Sequence, residues 1–202
     1  MSPMAHTRTA LSVTAAAAVL AGALAGCSTT GEPSATAVSV ETSVATTEAS
    51  APNASSTPVD AADKSSPAGP GAKLTVVDIR IGSHDGFDRV VYELGGDGVP
   101  GWRVGYVDRA VQDGSGHEIP VAGGAVLQVL IDGSAYPFDS GADPYSGPNP
   151  VIAPAGGSVT EVNGSGVFEG VTQSFVGVRD PGTAFSVFAL TEPTRLVVDV
   201  AR

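Results

Sequence analysis

The sequence predicts an all-β fold: a β-sandwich of about nine short strands, preceded by a signal peptide and a disordered linker. Three observations carry that prediction. Apolar and β-branched residues alternate with a period of two in short runs, and Asp-Gly or Pro-Gly pairs separate many of those runs (85–86, 113–114, 132–133, 181–182). No window holds a sustained 3.6-residue apolar stripe, so no amphipathic helix competes. Two look-alike runs open and close the region: Asp88-Arg89-Val90-Val91-Tyr92-Glu93-Leu94 and Thr194-Arg195-Leu196-Val197-Val198-Asp199-Val200. Each has an arginine, a mostly apolar stretch with an acid in fifth place, then an aliphatic residue.

The elements follow in order. Leu74–Ile81 and Phe87–Leu94 flank a Gly/Asp turn at 82–86, and Trp102–Val107 follows the glycine-rich turn at 95–101. His117–Val121 holds Pro120, which makes it an edge strand or none. Ala125–Ile131, Val159–Val162, Val167–Val178, Ala184–Leu190 and Thr194–Val200 complete the series. By alternation Val90, Tyr92, Leu94, Leu196, Val198 and Val200 point into a core. Were the two matching strands antiparallel neighbours, Arg89 would face Asp199 and Glu93 would face Arg195, a favourable cross-strand arrangement. Asp88, Arg89, Arg195 and Asp199 are read as a structural motif. The long proline-rich stretch 133–158 is the irregular part of the domain; Tyr136, Phe138 and Tyr145 argue that part of it packs on the sandwich.

The chain preceding the strands divides in two. Residues 1–26 hold Arg8 and then an alanine-rich apolar run ending Leu24-Ala25-Gly26-Cys27, and they read as an export signal. An aliphatic residue, two small residues and a cysteine resemble the bacterial lipoprotein signal. That resemblance implies cleavage before Cys27, diacylation of its sulfur and anchoring to the outer face of the cell membrane, the lipid bilayer being a partner through the acyl (palmitate-type) chains. Acyl chains stabilise such attachment by about 0.8 kcal/mol per buried methylene. Residues 27–72 are rich in Ser, Thr, Ala and Pro and carry no periodicity, so they are expected to form a flexible tether of roughly 35–40 Å reach. Its Ser/Thr density equally suits O-glycosylation or an unmodified linker. The folded domain is expected over 73–202.

Composition bounds the function. Glycine (26) and proline (15) are plentiful, and charged residues are only 15% of the chain, which suits a loop-rich β domain with a linker. The formal charge is −11, and −12 without residues 1–26, because Arg8 is the only charge removed. Such a chain is repelled by phosphate backbones, so no nucleic-acid partner is expected. One cysteine excludes an intramolecular disulfide and a cysteine metal cluster.

His84-Asp85-Gly86-Phe87-Asp88-Arg89-Val90-Val91-Tyr92-Glu93, Gly101-Trp102-Arg103-Val104-Gly105-Tyr106-Val107, Val121-Ala122-Gly123-Gly124-Ala125-Val126-Leu127 and Pro193-Thr194-Arg195-Leu196-Val197-Val198-Asp199-Val200 resemble, in order, the AMIN-like domain found in exported lipoproteins of actinobacteria. That domain is similar to the AMIN domain of cell-wall amidases and pilus secretins. The resemblance implies a non-catalytic sandwich associated with the cell envelope, with peptidoglycan or an envelope protein as partner. No amidase or secretin domain follows here.

The residue chemistry agrees with a binding role better than a catalytic one. His84 and His117 fall in apparent turns, and Ser140-Gly141 and Ser146-Gly147 lie in a proline-rich loop instead of a nucleophile elbow. No HExxH or His-x-His pair supports zinc, no cofactor motif is present, and the aspartates at 85, 88, 139 and 143 are ordinary turn formers, although they leave a calcium loop open. Tyr145, Tyr136, Phe138, Trp102 and Arg103 are the candidate ligand-binding residues: aromatic rings pack on sugar faces, and Arg103 and Arg109 suit carboxylates. Alternation places Trp102 with Val104 and Tyr106, which favours packing over display. Two other classes stay open. One is an envelope hydrolase with a cleft formed by the 133–158 loop; the other is a carrier of a small apolar ligand. Oligomeric state is not encoded in any of these patterns.

Overall fold

The computed structural model describes residues 57–202, and every long element in it is a strand. Cys27 and the signal segment lie outside the described residues. The strands are β1 (Lys64–Ser66), β2 (Lys73–His84), β3 (Phe87–Asp97), β4 (Gly101–Val107), β5 (Ala125–Asp132), β6 (Val151–Ile152), β7 (Val159–Phe168), β8 (Val171–Val178), β9 (Phe185–Leu190) and β10 (Arg195–Ala201). The one helix among the described residues, α1 (Pro137–Ser140), is a single turn. A six-stranded sheet of order β1-β4-β5-β8-β7-β6 packs against a four-stranded sheet of order β2-β3-β10-β9, with every neighbour antiparallel. The all-β sandwich is therefore as expected.

The two look-alike strands are the centre of the smaller sheet. β3 and β10 pair in the register Arg89↔Asp199 and Glu93↔Arg195. Their inward faces supply Val90, Tyr92, Leu94, Leu196, Val198 and Val200, all essentially buried, and these meet Leu127, Val129, Ile131, Val162, Val176 and Val178 from the larger sheet. Arg89 grips Asp199 with two parallel hydrogen bonds of 2.7 Å, Nε to Oδ1 and Nη2 to Oδ2. The second pair does not close as an ion pair. Arg80 on the neighbouring β2 takes Glu93 at 2.9 Å instead, and Arg195 turns its Nε to the Pro193 carbonyl. Asp88 sits at the end of the core: its buried carboxylate accepts from the Val159 backbone N–H and from Arg202 Nε, tying the sheets and the last residue together.

The expected run Val167–Val178 is in fact a hairpin. Glu169 (φ 48°) and Gly170 (φ 79°) both take left-handed backbone, so the chain reverses there and splits the run into β7 and β8. His117–Val121 forms no strand. Only a bridge between Val111 and Glu118 survives in the β4–β5 connection, which instead folds over the outer face of the larger sheet. There Gln173 clamps it through Val111 O and Asp113 N–H, and Glu161 accepts from Ala122 N–H.

The main difference from the sequence reading lies between residues 57 and 72, expected to belong to the tether. Pro58 is buried, β1 pairs with the edge of β4, Asp60 O accepts from Phe185 N–H at 2.8 Å, and Gly69 N–H reaches Val99 O at 2.9 Å. Lys64 lies over the Phe185 ring and pairs with Asp60. This strap needs bare backbone beneath it. A Cβ at Gly98 would stand 2.6 Å from Ala72 Cα, one at Gly133 2.8 Å from Ala72 Cβ, and Gly101 and Gly105 would strike Ala68 and Asp63. Composition hid the strap, since Ser, Ala and Pro read as linker while the complementary signal sits in glycines far along the chain.

A chain beginning at residue 57 is expected to be fully stable, whereas one beginning at residue 73 should lose on the order of 3 kcal/mol, about 6–12 °C in Tm. Thermal unfolding of the two, followed by circular dichroism, checks this.

Candidate functional site

The 133–158 connection is stitched to both sheets. Its first part runs along the outer edge of β2: Leu74 N–H donates to Gly133 O (3.0 Å), Ala135 N–H to Leu74 O (2.8 Å) and Tyr145 N–H to Val76 O (2.8 Å). Between those bonds α1 closes on Gly141, whose φ of 71° lets its N–H cap Pro137 O. The Thr75 hydroxyl, buried at this edge, bonds Ala135 O at 2.9 Å and the Ser140 hydroxyl at 2.6 Å. Farther on, Asn149 copies a strand with its side-chain amide. Its Nδ2 donates to Gly164 O and its Oδ1 accepts from Gly164 N–H, each at 3.0 Å, where the β7–β8 register breaks between Gly164 and Val167.

Under this roof the sheets leave a cleft of about 500 Å³, lined by Val76, Ile79 and Tyr92 from the smaller sheet, Val167, Thr172 and Ser174 from the larger, and Tyr136, Pro137, Pro144, Tyr145 and Asn149 from the loop. Its walls are aliphatic and aromatic, and its floor carries hydroxyls. Tyr92 and Ser174 share a hydrogen bond of 2.9 Å, Ser174 Oγ also reaches Asn163 O at 2.7 Å, and Thr172 donates to Ser134 Oγ at 2.8 Å. No charged side chain lines it. Burial pushes the Tyr92 phenol far above its ordinary range, only partly offset by the Ser174 hydroxyl. The Tyr145 phenol is raised too, by desolvation and then by the negative charge of Asp78.

Of the sequence-predicted binding residues, the structure brings Tyr136 and Tyr145 to the cleft. Phe138 is 81% exposed at its rim and stacks on Tyr136, centroids 5.5 Å apart and planes 7° from parallel. Trp102 and Arg103 are not part of it. Both lie on β4, three strands from β7 in the larger sheet. Trp102 is half-buried against the core, and the exposed Arg103 pairs with Asp132 at 2.7 Å. Arg109 pairs with Glu118 instead of joining the aromatics. Asp88, Arg89 and Asp199 hold strands together as described, and Arg195 bonds the turn that precedes it.

The two described histidines are apart from this site. His84 stacks on Phe87 (4.9 Å) and His117 is exposed in the β4–β5 connection. Among the described residues no group of three or more His, Cys, Asp or Glu side chains is placed to hold a metal ion. Asp85, Asp139 and Asp143 are exposed, while Asp88 is spent on Arg202 and Val159. Sequence reasoning missed Thr75, Thr172, Ser174 and Asn149. The inward positions of β8 read Thr, Ser, Val, Val, and that break in apolar alternation was the available signal. Asn149 offered none.

The AMIN-like domain model matches residues 74–202, more than half of the chain. No curated protein and no solved structure matches it.

Because the folded-state pKa of Tyr92 is raised, its contribution to stability is complete below about pH 10, where unfolded tyrosine ionises, and is lost as pH rises further. Alkaline unfolding should therefore steepen above pH about 10 by up to about 1.4 kcal/mol per pH unit for this residue. Tyr92→Phe should show a shallower slope in denaturant titrations across that range.

Proposed function

The chain belongs to the AMIN-like domain family, and from that premise we propose that it is an exported, non-catalytic binding protein of the cell envelope, tethered to the membrane by acylated Cys27, whose loop-roofed cleft holds the glycan strand of peptidoglycan. One observation carries the choice of ligand: an uncharged cleft that combines tyrosine faces with hydroxyls. Pyranose rings are polyhydroxylated with apolar C–H faces, so they pack on Tyr136 and Tyr145 while the hydroxyls of the floor and the Asn149 amide fix their orientation. The stem-peptide carboxylates would need a cation, and no lysine or arginine lines the cleft. Arg103 and Arg109 are engaged with Asp132 and Glu118 elsewhere, so the sugar, not the peptide, is the recognised part.

The alternatives meet the same lining. A hydrolase in this cleft would need an acid, a base or a nucleophile with a base, and neither a histidine nor a carboxylate lines it. A carrier of a small apolar ligand draws support from Val76, Ile79 and Val167. The hydroxyls of Thr75, Thr172 and Ser174 keep their protein partners under an alkyl ligand, but their remaining lone pairs and the Asn149 amide offer polar contacts that a sugar uses and an alkyl chain does not.

Cosedimentation of the chain with purified peptidoglycan should give binding that Tyr136→Ala weakens about two- to tenfold and that His84→Ala leaves unchanged. Stripping stem peptides from the polymer should not weaken it. No binding to either polymer would overturn the reading, as would displacement by a fatty acid but not by glycan fragments. For the anchor, Cys27→Ala should move the protein from the membrane to the soluble fraction. Retention at the membrane would show that acylation does not hold it.

A further inference from the structure

A two-sheet sandwich has four edges, and three of these are shortened or covered. β1 is three residues long, and β6 is two and follows Pro150. β2 carries Lys73, Asp78 and Arg80, is bulged between Val76 and Asp78, and gives its outer backbone to the 133–145 loop. These are the devices by which soluble sheets avoid edge pairing. β9 has none of them beyond its first residue, where the strap bonds Phe185 N–H and lays Lys64 over its ring. Phe185-Ser186-Val187-Phe188-Ala189-Leu190 contains no charge and no proline, and it pairs with β10 in unbroken register over all six residues.

The outward backbone of β9 is identified by one bond. Phe185 N–H points away from β10 and donates to Asp60 O at 2.8 Å, so alternation turns the N–H and C=O of Val187 and Ala189 to the same outer side. Among the described residues nothing pairs with them. The turn leading into β9 carries Asp180 and the turn leaving it carries Glu192, both exposed. We infer that the outer edge of β9 is a docking site for an extended peptide of another envelope protein, an uncharged segment with basic residues at its ends, which adds a fifth strand to the smaller sheet. Main-chain bonds to Val187 and Ala189 hold it, and its flanking cations meet Asp180 and Glu192. A second copy of this chain fits worse, because two chains of net charge −11 repel and the same acids would face each other. The edge is independent of the glycan cleft: β9 and β2 are opposite edges of one sheet.

The test uses the full-length chain and the peptide Lys-Lys-Thr-Val-Thr-Val-Thr-Val-Lys-Lys, followed by fluorescence anisotropy and amide hydrogen exchange. Binding should slow exchange at Val187 and Ala189 by at least about tenfold. Ala189→Pro removes only an outward N–H, a place where an edge strand tolerates proline, so it should abolish binding while the thermal midpoint holds. A peptide N-methylated at alternate residues should fail in the same way and serves if that variant misfolds. Asp180→Lys with Glu192→Lys should weaken the lysine-flanked peptide by about tenfold and favour a glutamate-flanked one. Protection confined to β2 or its loop, equal binding of both peptides, or unchanged binding by Ala189→Pro with the N-methylated peptide would overturn the assignment. So would concentration-dependent protection of Val187 and Ala189 without peptide, which would make a second copy the occupant.

Discussion

Arg89 and Asp199 lie 110 residues apart and meet side by side on β3 and β10. The smaller sheet forms around that meeting, because β2 and β9 each have only one of these two strands as neighbour. The pairing is long-range and carries the chain-closure entropy of most of the domain, so burial must offset it. Six inward residues of the two strands supply that burial, and all are essentially inaccessible. On the opposite face the Arg89 guanidinium lies over the rings of Phe87 and Phe188 while it grips Asp199. A buried ion pair adds little net stability against an apolar pair, but it discriminates between registers. A slip of one residue would turn Arg89 into the core and Val90 out of it.

The cleft is a consequence of how the sheets end. Where β7 departs from regular pairing at Gly164–Val167, it no longer fills the space in front of β2, and the loop spans the gap. Backbone groups that a regular sheet would satisfy are met by Asn149 and by the main chain at 133–145, so the roof holds its tyrosines with one helical turn and side-chain and backbone hydrogen bonds. Among the described residues every buried side-chain polar atom has a partner. A floor of hydroxyls already bonded to one another can accept further hydrogen bonds through lone pairs without unpaired donors in the empty state.

Two surfaces of different chemistry thus stand on opposite edges of the smaller sheet: a cleft suited to rings with many hydroxyls and an open strand suited to backbone. The strap from residue 57 bonds the first residue of β9 and the edge of β4, so the end of the domain nearest the proposed tether is also where the open strand begins. In the proposed reading, polymer held at one edge and protein at the other would make the domain an adaptor.

Most strands along the chain, the inward residues of β3 and β10 and their register were legible because period-two alternation and opposite charges act between near or matching positions. Tyr136 and Tyr145 were legible as candidates because aromatics are rare in a proline-rich loop. Other features depended on residues that meet only after folding. The Glu93 partner became Arg80 on the other neighbouring strand, while Arg195, directly opposite Glu93, turned to the Pro193 carbonyl, and Trp102 and Arg103 went to a distant strand because sheet order, not sequence order, sets proximity. The strap at 57–72 is held by glycines at 98, 101, 105 and 133, whose lack of a side chain says nothing about which segment will lie on them. By itself the sequence determined the fold class, the core faces and the family, because these rest on local periodicity and composition. Only tertiary structure decided which edge is roofed and which is open, because an unpaired backbone has no residue type of its own.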